Sequence, residues 1–465
     1  MSARRLEGLA VAGGLVGVAA LFFAYPTYPN YDAYYHLVWG RELLDGGAPS
    51  FQAYRAPTQH PLYLALGALL SLVGGGADRA LVAVALLSLL ALVWSTYRLG
   101  TELFGRWPGI AAGAFAGSSF AFLLYAVRAY VDVPFLAVVV WAAALEARRP
   151  RAPAVLPLLA VAGLLRPEAW LLAGGYWLWR RRTLAGAAFV LVAPLVWSLT
   201  DLAVTGDPLY SLHATASLAG ELGRDRGAGV LPGELVSFLA ATVKPPIAVA
   251  ALAGALLAWR LRARESLVLP AALLGIGTLT FLATGLAGLS ILPRYLTVPA
   301  LALCLLAGYA TLGFTTLPAG DPLRRRWARA AGLAALAGVL FAALQAPSLG
   351  RLERELRFTG ETHASLAELL RAPAVVAGMR CGPLTFPNYR LVPDARFILD
   401  APRERVGARS ARRRPYGVAV FVLGAKALRR FGFADGASPR TNVPDPGFHP
   451  VARTRFFSAY VRCPE

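Results

Sequence analysis

Lysine is almost missing from this chain: of 46 basic residues, all but Lys244 and Lys426 are arginine. That bias reflects nucleotide composition before it reflects function. Cysteine is scarce too, with 3 in 465 residues, and the 5 histidines are scattered. No Cys/His group has zinc-site spacing, so a zinc ribbon or finger is excluded. Charge is thin, at 15% against 57% hydrophobic residues. A soluble protein of this size needs far more polar surface.

What the chain has instead is apolar runs, at about 7–25, 79–100, 108–127, 131–147, 152–165, 167–179, 184–203, 245–260, 266–286, 294–313 and 329–346. Many reach roughly 17–22 residues, enough to span hydrocarbon. The fold class expected is an all-α polytopic membrane bundle of about 11 transmembrane helices with outer interfacial helices, followed by a small C-terminal α/β domain. Basic clusters separate some runs: Arg4/Arg5, Arg98 with Arg106, Arg148/Arg149/Arg151, Arg180 to Arg182, Arg260/Arg262/Arg264, and Arg324 to Arg326 with Arg329. If these are cytoplasmic, the N-terminus is inside and the C-terminal domain is extracytoplasmic in a multi-pass plasma-membrane protein. The net charge of +20 then belongs to cytoplasmic loops and membrane lipids, and no nucleic-acid partner is expected. The start of the chain resembles a signal peptide. It has no small-residue cleavage site before the tyrosines that follow, so it is read as an uncleaved first helix.

On the opposite side this topology places 26–78, 128–130, 166–167, 204–244 and 287–293. The run 60–73 is short for a span and is expected to lie in the outer interface or to re-enter. The runs 152–165 and 167–179 meet at Arg166-Pro167-Glu168, where proline breaks the helix. Irregular backbone at that depth implies a cavity. The segment 204–244 mixes charges (Asp207, Glu221, Arg224, Asp225, Arg226, Glu234, Lys244) and reads as a mobile loop. Two domains follow: 1–348, transmembrane, and 349–465, extracytoplasmic. In the second, 375–379, 396–399, 417–424 and 456–461 read as strands, 363–371 as a helix and 403–414 as a solvated basic loop. Cys381 and Cys463 can pair there if the compartment is oxidising.

Two lone acids stand out among the outward segments. Asp32 lies in YPTYPNYDAYY (25–35), whose five tyrosines and two prolines suit a membrane boundary. Asp132 lies in VRAYVDVPFL, at the start of a span. Ionisable groups at membrane depth are costly and usually functional. Arg128, Arg166 and Arg294 are isolated at outer ends of apolar runs, where the positive-inside rule does not put them. Their planar forks match phosphate oxygens. Lys244 and His60 can add a point charge and a donor. For each residue a plainer role exists: helix capping for the acids, snorkelling for the arginines.

Taken in order, these motifs resemble a family. An acid after the first span, a short HP-x-Y helix, a second acid before the fourth span, a GLLRPE break, GDPLYSL (206–212) and LPRYL-x-x-P (292–299) are similar to the C-type membrane glycosyltransferases. The likeness covers about residues 7–346. It implies transfer of a sugar from a polyprenyl-phosphate-linked donor to an acceptor hydroxyl on a lipid, glycan or protein outside the membrane. It also implies that Asp32 is the catalytic base and that Asp132 assists it or positions the donor or acceptor. Arg128, Arg166, Lys244, Arg294 and His60 would hold the donor phosphate. Tyr35, Glu168, Tyr210 and Tyr295, within or beside these motifs, would line the substrate pocket. No cofactor is implied beyond a possible divalent cation, and no metal ligands are assigned. The alternative is a transporter or flippase of lipid-linked sugars, which calls for repeat symmetry and polar residues across the bilayer. The inner halves of the runs are almost purely apolar.

Overall fold

The computed structural model describes residues 3–180, 182–224, 227–262, 264–433 and 439–464. Arg181, Asp225, Arg226 and the side chain of Arg4 therefore lie outside the described residues. In chain order the helices begin with α1 (Ala3–Ala24), α2 (Tyr31–Leu44), α3 (Pro61–Ser71), α4 (Ala77–Phe104), α5 (Arg106–Gly117) and α6 (Phe120–Val127). Next come α7 (Asp132–Arg148), α8 (Val155–Leu165), α9 (Glu168–Arg180), α10 (Leu184–Thr205), α11 (Tyr210–Glu221) and α12 (Leu231–Val243). The rest are α13 (Pro245–Leu261), α14 (Glu265–Leu286), α15 (Thr297–Leu312), α16 (Pro322–Arg371), α17 (Pro373–Gly378) and α18 (Val392–Leu399). Five short strands follow α16: β1 (Leu384–Phe386), β2 (Val406–Ala408), β3 (Gly417–Val422), β4 (His449–Arg453) and β5 (Phe457–Arg462).

Among the described residues, six helices are long and apolar enough to cross a membrane, or up to eight if each bent pair is one span. The bent pairs are α5 with α6, at 55°, and α12 with α13, at 98°. Every apolar run of the sequence falls on a helix, but α8 and α9, with 11 and 13 residues, are short. They meet where expected: Arg166 leaves the helix in extended backbone and Pro167 forbids its continuation.

The chain divides into two compact units. The first comprises 1–25, 82–200 and 224–353. It is a helical bundle around α15, whose segment is 78% buried, against none of α1. Within it α7, α8 and α9 pack in sequence, and α14 lies on both α9 and α15.

The second unit comprises 26–81, 201–223 and 354–465. Here α2 and α3 cross at van der Waals contact. A β-carbon on Gly40 would meet the Ala68 nitrogen at 2.2 Å, and one on Gly67 would meet the His36 carbonyl oxygen at 2.2 Å. The sheet has the order β2-β1-β3-β5-β4, with β1 parallel to β2 and β3, and β5 antiparallel to β3 and β4. Its core joins Phe386, Val418, Val420 and Phe457 to Leu366, Leu369 and Leu370 at the end of α16. Cys381 and Cys463 form a disulfide that ties the chain before β1 to the end of β5.

Several local expectations give way to helix. Residues 375–379 fall on and just after α17, because Pro373 in its first turn sets a helical start that outweighs the two valines. Residues 396–399 belong to α18, again opened by a proline, Pro393. The segment 204–244, expected to be a mobile loop, carries α11 and α12. The expected helix 363–371 is the end of α16. The basic stretch 403–414 is not wholly solvated: it contains β2 and a buried Arg409, which donates to the carbonyls of Thr441 (3.1 Å) and Val443 (3.0 Å) and pairs with Asp445 (2.9 Å).

Candidate functional site

The candidate residues divide between the units. Asp132, Arg128, Arg166, Glu168, Lys244, Arg294 and Tyr295 belong to the helical bundle, and Asp32, Tyr35, His60 and Tyr210 to the second unit.

In the bundle, Asp132 opens α7 and is fully buried. Arg166, at the end of α8, donates from Nη1 to Asp132 Oδ1. Its Nε donates to Glu168 Oε1 at 3.0 Å, and its Nη2 reaches the same oxygen. One guanidinium thus holds two carboxylates across the α8–α9 break. The fork also faces the rings of Phe135 (5.7 Å) and Tyr295 (5.3 Å). Arg294 stands over the same tyrosine at 5.9 Å, and Tyr125 shares the field of Asp132, Arg294 and Arg166. Two carboxylate oxygens of the cluster, Asp132 Oδ2 and Glu168 Oε2, are buried without a hydrogen-bond partner among the described residues. Buried acceptors are nearly always satisfied, so these two are suited to a hydroxyl-bearing ligand. Among the described residues no three His, Cys, Asp or Glu side chains cluster as a metal site.

Two candidates sit beside strained backbone. Lys244, between α12 and α13, has φ 68° and ψ 141°, close to a region that is essentially glycine's alone. Ala129, next to Arg128, has φ 50°. Such conformations cost about 1–3 kcal/mol each and concentrate at functional sites. The strain at Lys244 accompanies the 98° bend and keeps its half-buried side chain at the helix junction.

In the second unit Asp32 lies in the first turn of α2, whose N-cap Asn30 accepts from the Ala33 amide at 3.0 Å. His36 Nδ1 donates to the Asp32 carbonyl at 2.7 Å, fixing the turn that carries the acid. Burial holds the His36 imidazole down at about 4, so it is neutral. His60, just before α3, stacks on His36 with centroids 5.3 Å apart. Tyr35 packs with Trp39, Phe51 and Leu64, and Tyr210 donates to the Phe51 carbonyl at 3.2 Å.

Sequence reasoning missed three arrangements here. Tyr28 donates to Asp394 Oδ1 at 2.7 Å and also meets His363 Nδ1. Arg55, with φ 55°, lies between the rings of Tyr54 (5.2 Å) and Tyr389 (5.0 Å), and its carbonyl accepts from Tyr31 at 3.0 Å. Arg396, fully buried, pairs with Glu42 and donates to Ser50 Oγ at 2.9 Å. Each joins the segment 26–78 to the C-terminal residues, a pairing that sequence spacing does not encode.

Comparison with known proteins shows what the fold is similar to. ArnT from Cupriavidus metallidurans bound to undecaprenyl phosphate superposes with a TM-score of 0.58 at 16% identity, covering 100% of both chains. The chain shares the ArnT fold over its whole length. ArnT in the apo state gives 0.55 at 17% identity, again over 100% of both chains. The Archaeoglobus fulgidus oligosaccharyltransferase tethered with an acceptor peptide gives 0.49 at 10% identity, over 86% of this chain and 63% of its own. No protein-family model and no curated protein matches the sequence. With six to eight candidate spans among its described residues, the chain is a multi-pass membrane protein.

Proposed function

We propose that the chain transfers a sugar from a polyprenyl-phosphate-linked donor to an acceptor hydroxyl on the outer side of the membrane. The observation that carries this reading is the buried Asp132–Arg166–Glu168 cluster beside Arg294 and Tyr295. It sits in a fold whose relative ArnT was crystallised with undecaprenyl phosphate. The Cys381–Cys463 disulfide supports an oxidising, extracytoplasmic setting for the C-terminal residues. In this reading the basic clusters face the cytoplasm.

In this reading Asp32 takes the proton of the acceptor hydroxyl as its oxygen attacks the anomeric carbon. The bond from that carbon to the phosphate oxygen breaks, and polyprenyl phosphate leaves. Arg294, Lys244, Arg128 and His60 stabilise the phosphate charge as it develops. Arg166 takes a different part from theirs: it is committed to Asp132 and Glu168 and positions them. Their two unsatisfied oxygens accept sugar hydroxyls. Tyr295 packs against the arginines, while Tyr35 and Tyr210 shape the acceptor side. No cofactor is assigned.

Titration of polyprenyl phosphate against wild type and Arg294→Ala tests the phosphate assignment. A charged hydrogen bond is worth about 1.5–3 kcal/mol, so affinity should fall about ten- to a hundredfold. Equal affinity would remove Arg294 from the phosphate set.

A further inference from the structure

We infer that the bundle carries a second lipid site, for one chain of an anionic phospholipid, at the end of α7 opposite Asp132. A cavity of about 260 Å³ lies among the last turns of α7 and α9 and the first turns of α8 and α14, lined by Ala142, Leu159, Gly175, Trp179, Ala272 and Ile276. Asp132 and Glu168 open α7 and α9, and this cavity lies towards their far ends. Since α7 has 17 residues, its two ends are about 25 Å apart. The cavity is therefore not part of the candidate catalytic cluster.

Three features choose the occupant. The lining is apolar except for Glu146 and Tyr176. Those two are joined, Tyr176 donating to Glu146 Oε2 at 2.8 Å, and Arg180 balances the Glu146 charge as an ion pair at 3.1 Å. The volume falls below the roughly 300–1,000 Å³ of pockets that engulf a whole drug-sized ligand, and suits a single hydrocarbon chain. The exposed charge at the neighbouring helix ends is mainly positive. Arg148, Arg149, Arg151, Arg182 and Arg264 are exposed at these same helix ends. The flanking surface is apolar, with Leu171, Leu178 and Trp179 exposed. In a multi-pass membrane protein that combination takes an acyl chain into the cavity and an anionic headgroup onto the arginines. Lipid of the basic-cluster leaflet is the source. The inference does not depend on glycosyl transfer.

The test uses the full chain in detergent, with bound lipid counted by native mass spectrometry during titration with phosphatidylglycerol or phosphatidylcholine. Phosphatidylglycerol should bind one to one, at least about tenfold more tightly than phosphatidylcholine. Ala272→Phe should lose that binding with an unchanged unfolding temperature, and Arg148→Gln/Arg149→Gln should weaken it. Equal binding of the two lipids overturns the proposal, as does undiminished binding in Ala272→Phe. One-for-one displacement of phosphatidylglycerol by polyprenyl phosphate also overturns it, because the cavity would then belong to the donor. If Ala272→Phe fails to fold, a phosphatidylglycerol with a photoreactive chain terminus decides on the wild type. Cross-links at Val268 to Ile276 support the site, and their absence rejects it.

Discussion

Arg166→Met is the substitution whose consequence the structure defines most sharply. Arg166 is the cation held against both Asp132 and Glu168, and the three side chains are 4%, 0% and 11% exposed. Exposed ion pairs are worth about 0–1 kcal/mol, and this one is outside that regime. Removing one partner of a buried pair strands a charge and costs about 3–5 kcal/mol. Methionine keeps the length and apolar stem, so the loss is electrostatic rather than a cavity. Adding Asp132→Asn should restore part of the stability, because one of the two stranded carboxylates is then neutral. Reversible unfolding in mixed micelles, run on wild type, the single variants and the double variant, measures the coupling. Arg166→Met within about 1 kcal/mol of wild type, or no recovery in the double variant, would refute the reasoning.

Two further outcomes follow from the second unit. The Cys381–Cys463 bond closes an 82-residue separation, so Cys381→Ala/Cys463→Ala should cost about 4.5 kcal/mol on the chain-entropy account. Unfolding of the reduced and oxidised protein measures it, and a difference under about 1 kcal/mol contradicts it. His36 is held at about 4 in the folded chain, below the ordinary 6.5. The unfolded chain therefore binds the extra proton first, and stability must fall as pH drops below about 6.5. Between pH 7 and 5 the loss from this group is about 2 kcal/mol. His36→Asn should remove that part of the slope, and an unchanged slope would clear His36 of the effect.

The helical, membrane-spanning character was legible because burial in lipid writes itself as long apolar runs. The break at Arg166-Pro167 was legible for a local reason, the missing proline donor, and the strands β3 and β5 stood out as β-branched and aromatic runs. The helices α17 and α18 were not, because a proline two or three residues ahead decides the backbone against valines and phenylalanine. Arg166 was legible as an unusual arginine but not as the keeper of two acids. Its counter-ion Asp132 lies 34 positions away, and only the packing of α7 on α8 brings them together. The same holds for Tyr28, His363 and Asp394, and for Arg396 with Glu42. Such pairs are set by tertiary contact, and neither helical period nor spacing carries them.

The most direct measurement is release of polyprenyl phosphate from a labelled polyprenyl-phosphate sugar by the purified chain in lipid nanodiscs. Wild type should release it when acceptor is supplied. Asp32→Asn should bind the donor with near wild-type affinity and release it at least about a hundredfold more slowly. Full turnover by Asp32→Asn, or no release by wild type with any acceptor-containing membrane extract, would contradict the account.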